Sequence, residues 1–440
     1  MDEQPVWFWP EGSEAPVLAG HLKDLGAGTA FRYASDFVRR PDARPLDRGQ
    51  LRHFRADAPR VIPSTAREGL PGIIADAGPD SWGRMLLAQT LRFTPTALEA
   101  LVHSADDGVG NLAVGDLTLK PNALARDLDE LAEAVARRQS GEAVPAELAQ
   151  ALSPDTALGG AKPKASVEVD GALWLAKFPE RGDTPALPFL EAAAMSLAGR
   201  LGLRVAEARP VTLAKGYAAL LVRRFDRRQQ DGRRTRLGFA SALTVMGPRG
   251  ELIGAPERSY LHLARSLAQW CPAEALASEL RELWRRIAFN GLIGNRDDHP
   301  RNHGLLCEGG TWRLSPAFDL VPACHPTEQL SLSLPFIVVD GQRSSLVTAQ
   351  RLIQAAPTFG VSTEEAHADL RAMLDTMRTV WPAMPSELGA PASAQAVFLH
   401  ALAWADRLRQ SLDACSSADL EPPKRASGRG WRSNRRLLGQ

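Results

Sequence analysis

Eight residues, Asn295-Arg-Asp-Asp-His-Pro-Arg-Asn302, crowd two aspartates, two asparagines, two arginines and a histidine between apolar flanks. Upstream, Leu283, Trp284, Ile287, Ala288, Leu292 and Ile293 line one face of a helix that Gly294 ends. Downstream, Gly304-Leu-Leu-Cys307 and Thr311-Trp-Arg-Leu314 are two short strands separated by Glu-Gly-Gly, a small hairpin. The polar run is therefore a loop pinned at both ends by elements that bury their side chains.

That loop has the parts for phosphoryl transfer, which needs oxygen ligands for Mg²⁺, a carboxylate near the attacking hydroxyl, and cationic and backbone groups on the phosphates. Asp297 and Asn302 are five residues apart, the D-x-x-x-x-N spacing of a kinase catalytic loop. Asp297 can accept the proton of an acceptor hydroxyl, and Asn302 can turn its amide oxygen onto a metal. The hairpin returns the chain to Ser315-Pro-Ala-Phe-Asp319, whose carboxylate can reach the same metal. By itself D-x-x-x-x-N recurs by chance, and an Asx turn is its plain structural reading. The succession helix, Asp, Asn, hairpin, Asp is what favours chemistry.

Other candidates lie earlier. Ala165–Asp170 alternates like a strand, Asp170-Gly171 is a hairpin turn, and Ala172–Phe178 returns with Lys177 near its end. Lys177 is either an edge-strand lysine in solvent or a phosphate-gripping one. Glu191, fourteen residues on at an expected helix start, either pairs with it or favours the helix dipole. Before the first strand stands Leu158-Gly-Gly-Ala-Lys-Pro-Lys164, whose Gly159 and Gly160 would let backbone N–H groups approach phosphate oxygens. It is not a Walker A loop.

The rest of the 440-residue chain is ordinary for a globular protein, with a net charge of +1 that steers it toward neither nucleic acid nor membrane. Cys271, Cys307, Cys324 and Cys415 form no CxxC pair and suggest neither zinc nor disulfides. The N-terminus lacks the pattern of a signal peptide, and no apolar run is long enough to span a bilayer, so a cytoplasmic location is expected. Val6–Trp9 and Thr29–Tyr33 are expected as strands, Trp82–Thr90 as a helix capped by Asp80 or Ser81, and 105–111 as a loop. Further helices are expected at 126–139, 191–201, 347–355, 363–380 and 394–413, with mostly helical texture between 240 and 300. A boundary falls near 150. The seven arginines between 223 and 236 fit a solvated hairpin better than a binding surface, and the basic last twenty residues fit a mobile tail.

Taken together, Leu158–Lys164, Trp174–Pro179, Arg224-Phe-Asp-Arg227, Asp297–Asn302 and Phe318-Asp319 resemble the HipA family of bacterial serine/threonine-type protein kinases. The resemblance covers about 155–380 and, more loosely, the first 110 residues. It implies an α+β, protein-kinase-like two-lobed fold: 1–115 an N-terminal β-rich region, 116–150 a helical connector, 151–235 the N-lobe, 236–415 a helical C-lobe and 416–440 the tail. It implies ATP and Mg²⁺ as cofactors, with Asp297 the catalytic base and Asn302 and Asp319 on the metal. Gly159, Gly160, Ala161, Lys162, Lys164 and Lys177 would face the phosphates. The Leu221–Phe225 segment, with Val222, Arg223 and Phe225, would hold adenine through backbone groups, and His299 would brace the loop.

Family members are usually toxins of toxin–antitoxin pairs. They phosphorylate proteins, aminoacyl-tRNA synthetases among them, and associate with a small helix-turn-helix antitoxin that contacts DNA. The alternatives are a small-molecule kinase of the aminoglycoside or choline type, and an inactive kinase-fold partner of a DNA-binding antitoxin. Two departures from the family stand out. Asp298 replaces a glycine beside Asp297, and the family's autophosphorylated serine is Ala157 here, with Thr156 and Ser153 the nearby substitutes.

Overall fold

Alternating apolar residues and tight turns set the N-terminal third. In the computed structural model, which describes residues 3–58, 60–64, 67–120, 124–125, 127–142, 162–230 and 232–415, strands β1 (Gln4–Phe8), β2 (Val17–Asp24), β3 (Thr29–Tyr33), β4 (Ile62–Ser64) and β5 (Leu112–Val114) form an antiparallel sheet in the order β4-β3-β2-β1-β5. β2 escaped the sequence reading because Gly20 and His21 interrupt its alternation. Gly20 is needed there, since a Cβ would meet the Phe31 ring and the Arg32 carbonyl. Helices Ser81–Leu91 and Ala97–His103 follow, the first capped by the Asp80 side chain, which accepts from the Gly83 N–H at 2.9 Å.

A second sheet combines β6 (Leu124–Ala125), β7 (Lys164–Val169), β8 (Ala172–Lys177), β9 (Ala208–Thr212) and β10 (Ala218–Arg223), ordered β6-β7-β8-β10-β9. Asp170 and Gly171, with φ of 51° and 73°, make the tight β7–β8 turn that their sequence demands. β9 contains Pro210, which an edge strand tolerates and which hid it from the pattern. The helix Leu128–Gln139 does not simply connect: Leu131, Ala132, Ala134 and Val135 pack with Val167, Trp174, Ala176 and Leu221 of this sheet.

The remainder is mostly helical. The helix Leu187–Arg200 starts earlier than expected because Pro188 sits in its first turn, where a missing N–H costs nothing. Helices Tyr260–Trp270, Ala273–Ile293, Thr363–Val380 and Gln395–Asp413 share one apolar core with the N-terminal sheet. Trp284 and Trp381 are fully enclosed in it, and Gly294 closes the long helix at φ 76°. Strands β11 (Arg227–Gln230) and β12 (Arg233–Arg236) form the arginine-rich hairpin. β13 (Gly238–Ser241), β14 (Gly304–Glu308) and β15 (Thr311–Leu314) make a three-stranded sheet. The fold is thus mixed, β-rich at the N-terminus and more helical toward the C-terminus. Among the described residues no helix is long and apolar enough to cross a membrane.

Candidate active site

Lys177 is the last residue of β8, a strand flanked on both sides, so its side chain is buried rather than solvated. Its Nζ donates to Glu191 Oε1 at 2.6 Å and to Asp319 Oδ1 at 2.6 Å. Glu191 lies in the second turn of its helix, not at its start, so the dipole alternative gives way to the ion pair. Asp319 follows Phe318 with φ 60°, a left-handed conformation that asparagine and aspartate tolerate better than most residues. Burial by itself would raise the Asp319 pKa, but the Lys177 charge and hydrogen bond outweigh it and hold the carboxyl at about 2. Burial pushes Glu191 upward, and the two carboxylates together push the Lys177 ammonium up. The outcome is a fixed cation gripped by a fixed anion.

The Asn295–Asn302 loop turns back on itself. Asn295 donates to Asn290 Oδ1 at 3.1 Å and accepts the Asp297 N–H at 3.0 Å. The Asn302 amide donates through Nδ2 to the Asp297 carbonyl at 2.6 Å. That bond aims the opposite end of the amide inward, and Asn302 Oδ1 is buried with no hydrogen-bond partner. A buried amide oxygen without a donor is costly unless something meets it. Asn302 shares a small cavity with Phe318 and Leu320, the neighbours of Asp319. Asn302 and Asp319 thus offer one amide and one carboxylate oxygen, a donor set suited to Mg²⁺, which keeps most of its waters. Among the described residues no three His, Cys, Asp or Glu side chains gather into a group that could hold a metal ion.

The adjacent aspartates separate cleanly. Asp298 is buried and accepts from Tyr260 Oη at 2.6 Å and from the Ser333 N–H at 2.6 Å, and burial raises it to about 6. His303, held neutral by burial, contacts the same tyrosine hydroxyl at 2.9 Å. Asp297 keeps its side chain 63% exposed, 3.9 Å from His299 Nε2. Partial burial lifts its pKa and the nearby Asp319 charge adds to that lift, while His299, Lys162 and Lys177 oppose it. Asp298 braces the loop, and Asp297 is the carboxylate left exposed.

Of the glycine-rich segment, Gly159, Gly160 and Ala161 lie outside the described residues, as do Ser153, Thr156, Ala157 and the basic tail. Lys162 is half-buried and pairs with Asp183 at 2.9 Å, a partner with no local sequence signal. Lys164 points into the protein and pairs with Asp80 of the N-terminal region. Val222, Arg223, Phe225 and Lys177 line one small cleft with Phe318, so the proposed hinge does border the lysine. The Arg223 and Arg224 N–H groups, however, are already bonded to Glu207 and Leu173 carbonyls at 2.8 and 2.9 Å. Adenine recognition along this segment cannot use those two donors.

The sequence reading missed a buried charge cluster. Arg224, expected in a solvated hairpin, has a fully buried side chain that bonds Asp226 through Nε at 2.9 Å and Nη2 at 2.8 Å, and Asp107 at 2.9 Å. Arg227 reaches Asp226 and the Gly108 and Gly110 carbonyls, each at 2.7 Å. The 105–111 loop is therefore a joint between the N-terminal region and the second sheet. A second joint runs from Asp76 to the Ser241 N–H and Oγ and to Thr244 Oγ1, all at 2.7 Å. Beside these joints opens a cleft of about 770 Å³, walled by Asp80, Arg84, Met85, Leu243 and Ile253, with His299–Arg301 on its floor.

Comparison with known proteins places this geometry. Residues 156–381, just over half of the chain, match the HipA-like C-terminal domain. A candidate kinase of Sinorhizobium fredii (strain NBRC 101917 / NGR234), Y4dM, is 26% identical over 396 residues, 86% of this chain and 85% of the relative. The HipA chain of the Shewanella oneidensis MR-1 HipA, HipB and operator DNA complex superposes with a TM-score of 0.64 at 19% identity, covering 90% of this chain and 96% of that one. The segment that supplies Lys177, Glu191, the 295–302 loop and Asp319 is the segment that matches, and the chain belongs to the HipA-like family.

Proposed function

We propose that this protein is an ATP-dependent protein kinase and the toxin member of a toxin–antitoxin pair. The observation that carries the reading is the Glu191–Lys177–Asp319 contact with an unpartnered Asn302 oxygen nearby. Lys177 would hold phosphate oxygens, its ammonium kept charged by the two carboxylates. Asn302 and Asp319 would hold Mg²⁺, which when bound supplies neutralisation of phosphate charge. Asp297 would orient the acceptor hydroxyl and take its proton, and its raised pKa brings it nearer the value a general base needs. The Lys162–Lys164 stretch would lie at the phosphate end, and Val222–Phe225 would border the purine side.

The cleft beside His299 favours a protein acceptor, since apolar walls of Met85, Leu243 and Ile253 suit a polypeptide segment better than an aminoglycoside or choline. The HipA fold shared with the HipA, HipB and operator DNA complex supports an antitoxin as partner, with DNA reached through it; that partner would be a small helix-turn-helix protein, and the substrate a component of the translation machinery. The test is transfer of label from Mg-ATP to protein in a bacterial lysate by the purified chain. Label is expected with wild type and lost with Lys177→Met and Asp319→Asn; labelling that survives both substitutions would refute the assignment.

A further inference from the structure

Lys164 on β7 and Lys177 on β8 are directly opposed across the sheet, so two ammonium groups leave the same face side by side. Like charges in that register repel unless each is neutralised. Lys177 has Glu191 and Asp319, both from the matched segment. Lys164, with its side chain only 1% exposed, has Asp80, which comes from the N-terminal region and is itself 7% exposed. Asp80 is fixed independently: Oδ1 accepts the Gly83 N–H at 2.9 Å at the head of the helix Ser81–Leu91, which leaves Oδ2 for the lysine. Lys164 also lies within electrostatic range of Asp319, and Asp80 walls the cleft whose floor is His299–Arg301.

We propose that Asp80 is a positioning residue for the nucleotide: it anchors the Lys164 ammonium on the face of the sheet that also carries Lys177, where the two lysines form a seat for a polyphosphate. The proposal rests on the reading of the Lys177–Asp319 region as a Mg-ATP site. Its physical basis is that a buried ammonium that loses a carboxylate partner is no longer held in one place. That displacement removes one charge-assisted contact from the phosphates.

The experiment is calorimetric titration of the full chain with Mg-ATP and, separately, adenosine, for wild type, Asp80→Asn, Lys164→Met and the double variant. Asparagine caps a helix as well as aspartate does, so Asp80→Asn keeps the helix cap, with Asp80→Ser as an alternative cap if it does not accumulate. Each single substitution is expected to weaken Mg-ATP binding about tenfold, the size of one charge-assisted hydrogen bond. The double variant should bind no more weakly than Lys164→Met, and adenosine affinity should be unchanged throughout. Unaltered Mg-ATP binding in Asp80→Asn, multiplicative losses in the double variant, or equal weakening of adenosine would each overturn the proposal. Wild-type protein that binds no Mg-ATP would overturn the kinase reading and this proposal together.

Discussion

Replacing Asp297 and Asp298 separately by alanine should split activity from stability. Asp298 is 1% exposed and accepts the hydroxyl hydrogen of a fully buried Tyr260 and the Ser333 N–H, both at 2.6 Å. Its removal strands a buried donor, which costs about 1–3 kcal/mol, and the partly solvated Ser333 amide adds less. Asp297 gives its carbonyl to Asn302, which alanine preserves, and its side chain is 63% exposed, so Asp297→Ala should leave stability within about 0.5 kcal/mol. Loss of a general base lowers turnover by about 10²–10⁴-fold. Denaturant unfolding and label transfer from Mg-ATP, corrected for folded fraction, measure the two quantities. The reasoning fails if folded Asp298→Ala loses transfer as completely as Asp297→Ala, or if Asp297→Ala retains it.

Further outcomes follow from the same structure. Burial raises Asp298 in the folded state from an ordinary carboxylate value to about 6, so its stabilising contribution is complete below about pH 4 and is lost as the pH rises through about 6. The stability difference between wild type and Asp298→Asn should therefore shrink across that window in unfolding curves taken from pH 4 to 7. Asp226→Ala leaves the buried Arg224 and Arg227 with Asp107 alone of their two shared anions and should cost about 3–5 kcal/mol, with hydrogen exchange rising first in 105–111. Gly108→Ala would drive a Cβ into the Ala77 carbonyl and should lower Tm without altering any group in the cleft, a change that thermal unfolding would detect.

Local chemistry made much of the fold legible. The β7–β8 hairpin was announced by Asp170-Gly171, the long helix by its apolar stripe and Gly294, and the Ser81–Leu91 helix by the Asp80 cap. Strands β2 and β9 were not legible, because Gly20 answers to an aromatic ring from another strand and Pro210 is permitted only by an edge position. In the site, motif spacing singled out Asn302, Asp319 and Lys177 and offered Glu191 as a partner for the lysine, whereas the Lys177–Asp319 contact spans 142 residues and has no local signal. The choice between Asp297 and Asp298 leaned on that spacing, and the burial that separates them depends on Tyr260 and Ser333, each more than thirty residues away. Asp80 and Asp107 were likewise invisible as partners: each lies in a turn or loop that has local reasons of its own to be polar.

The charged joints at Asp76, Asp80 and Asp107 have a consequence for how the chain can be dissected. They supply the counter-ions and acceptors of Lys164, Arg224, Arg227 and Ser241, all of which belong to the half carrying the 295–302 loop. A fragment cut at the family match, 156–381, would carry three interior cations with their N-terminal anions amputated. The β-rich portion is thus less an appendage than the missing electrostatic complement of the HipA-like domain, and neither piece is expected to be self-sufficient.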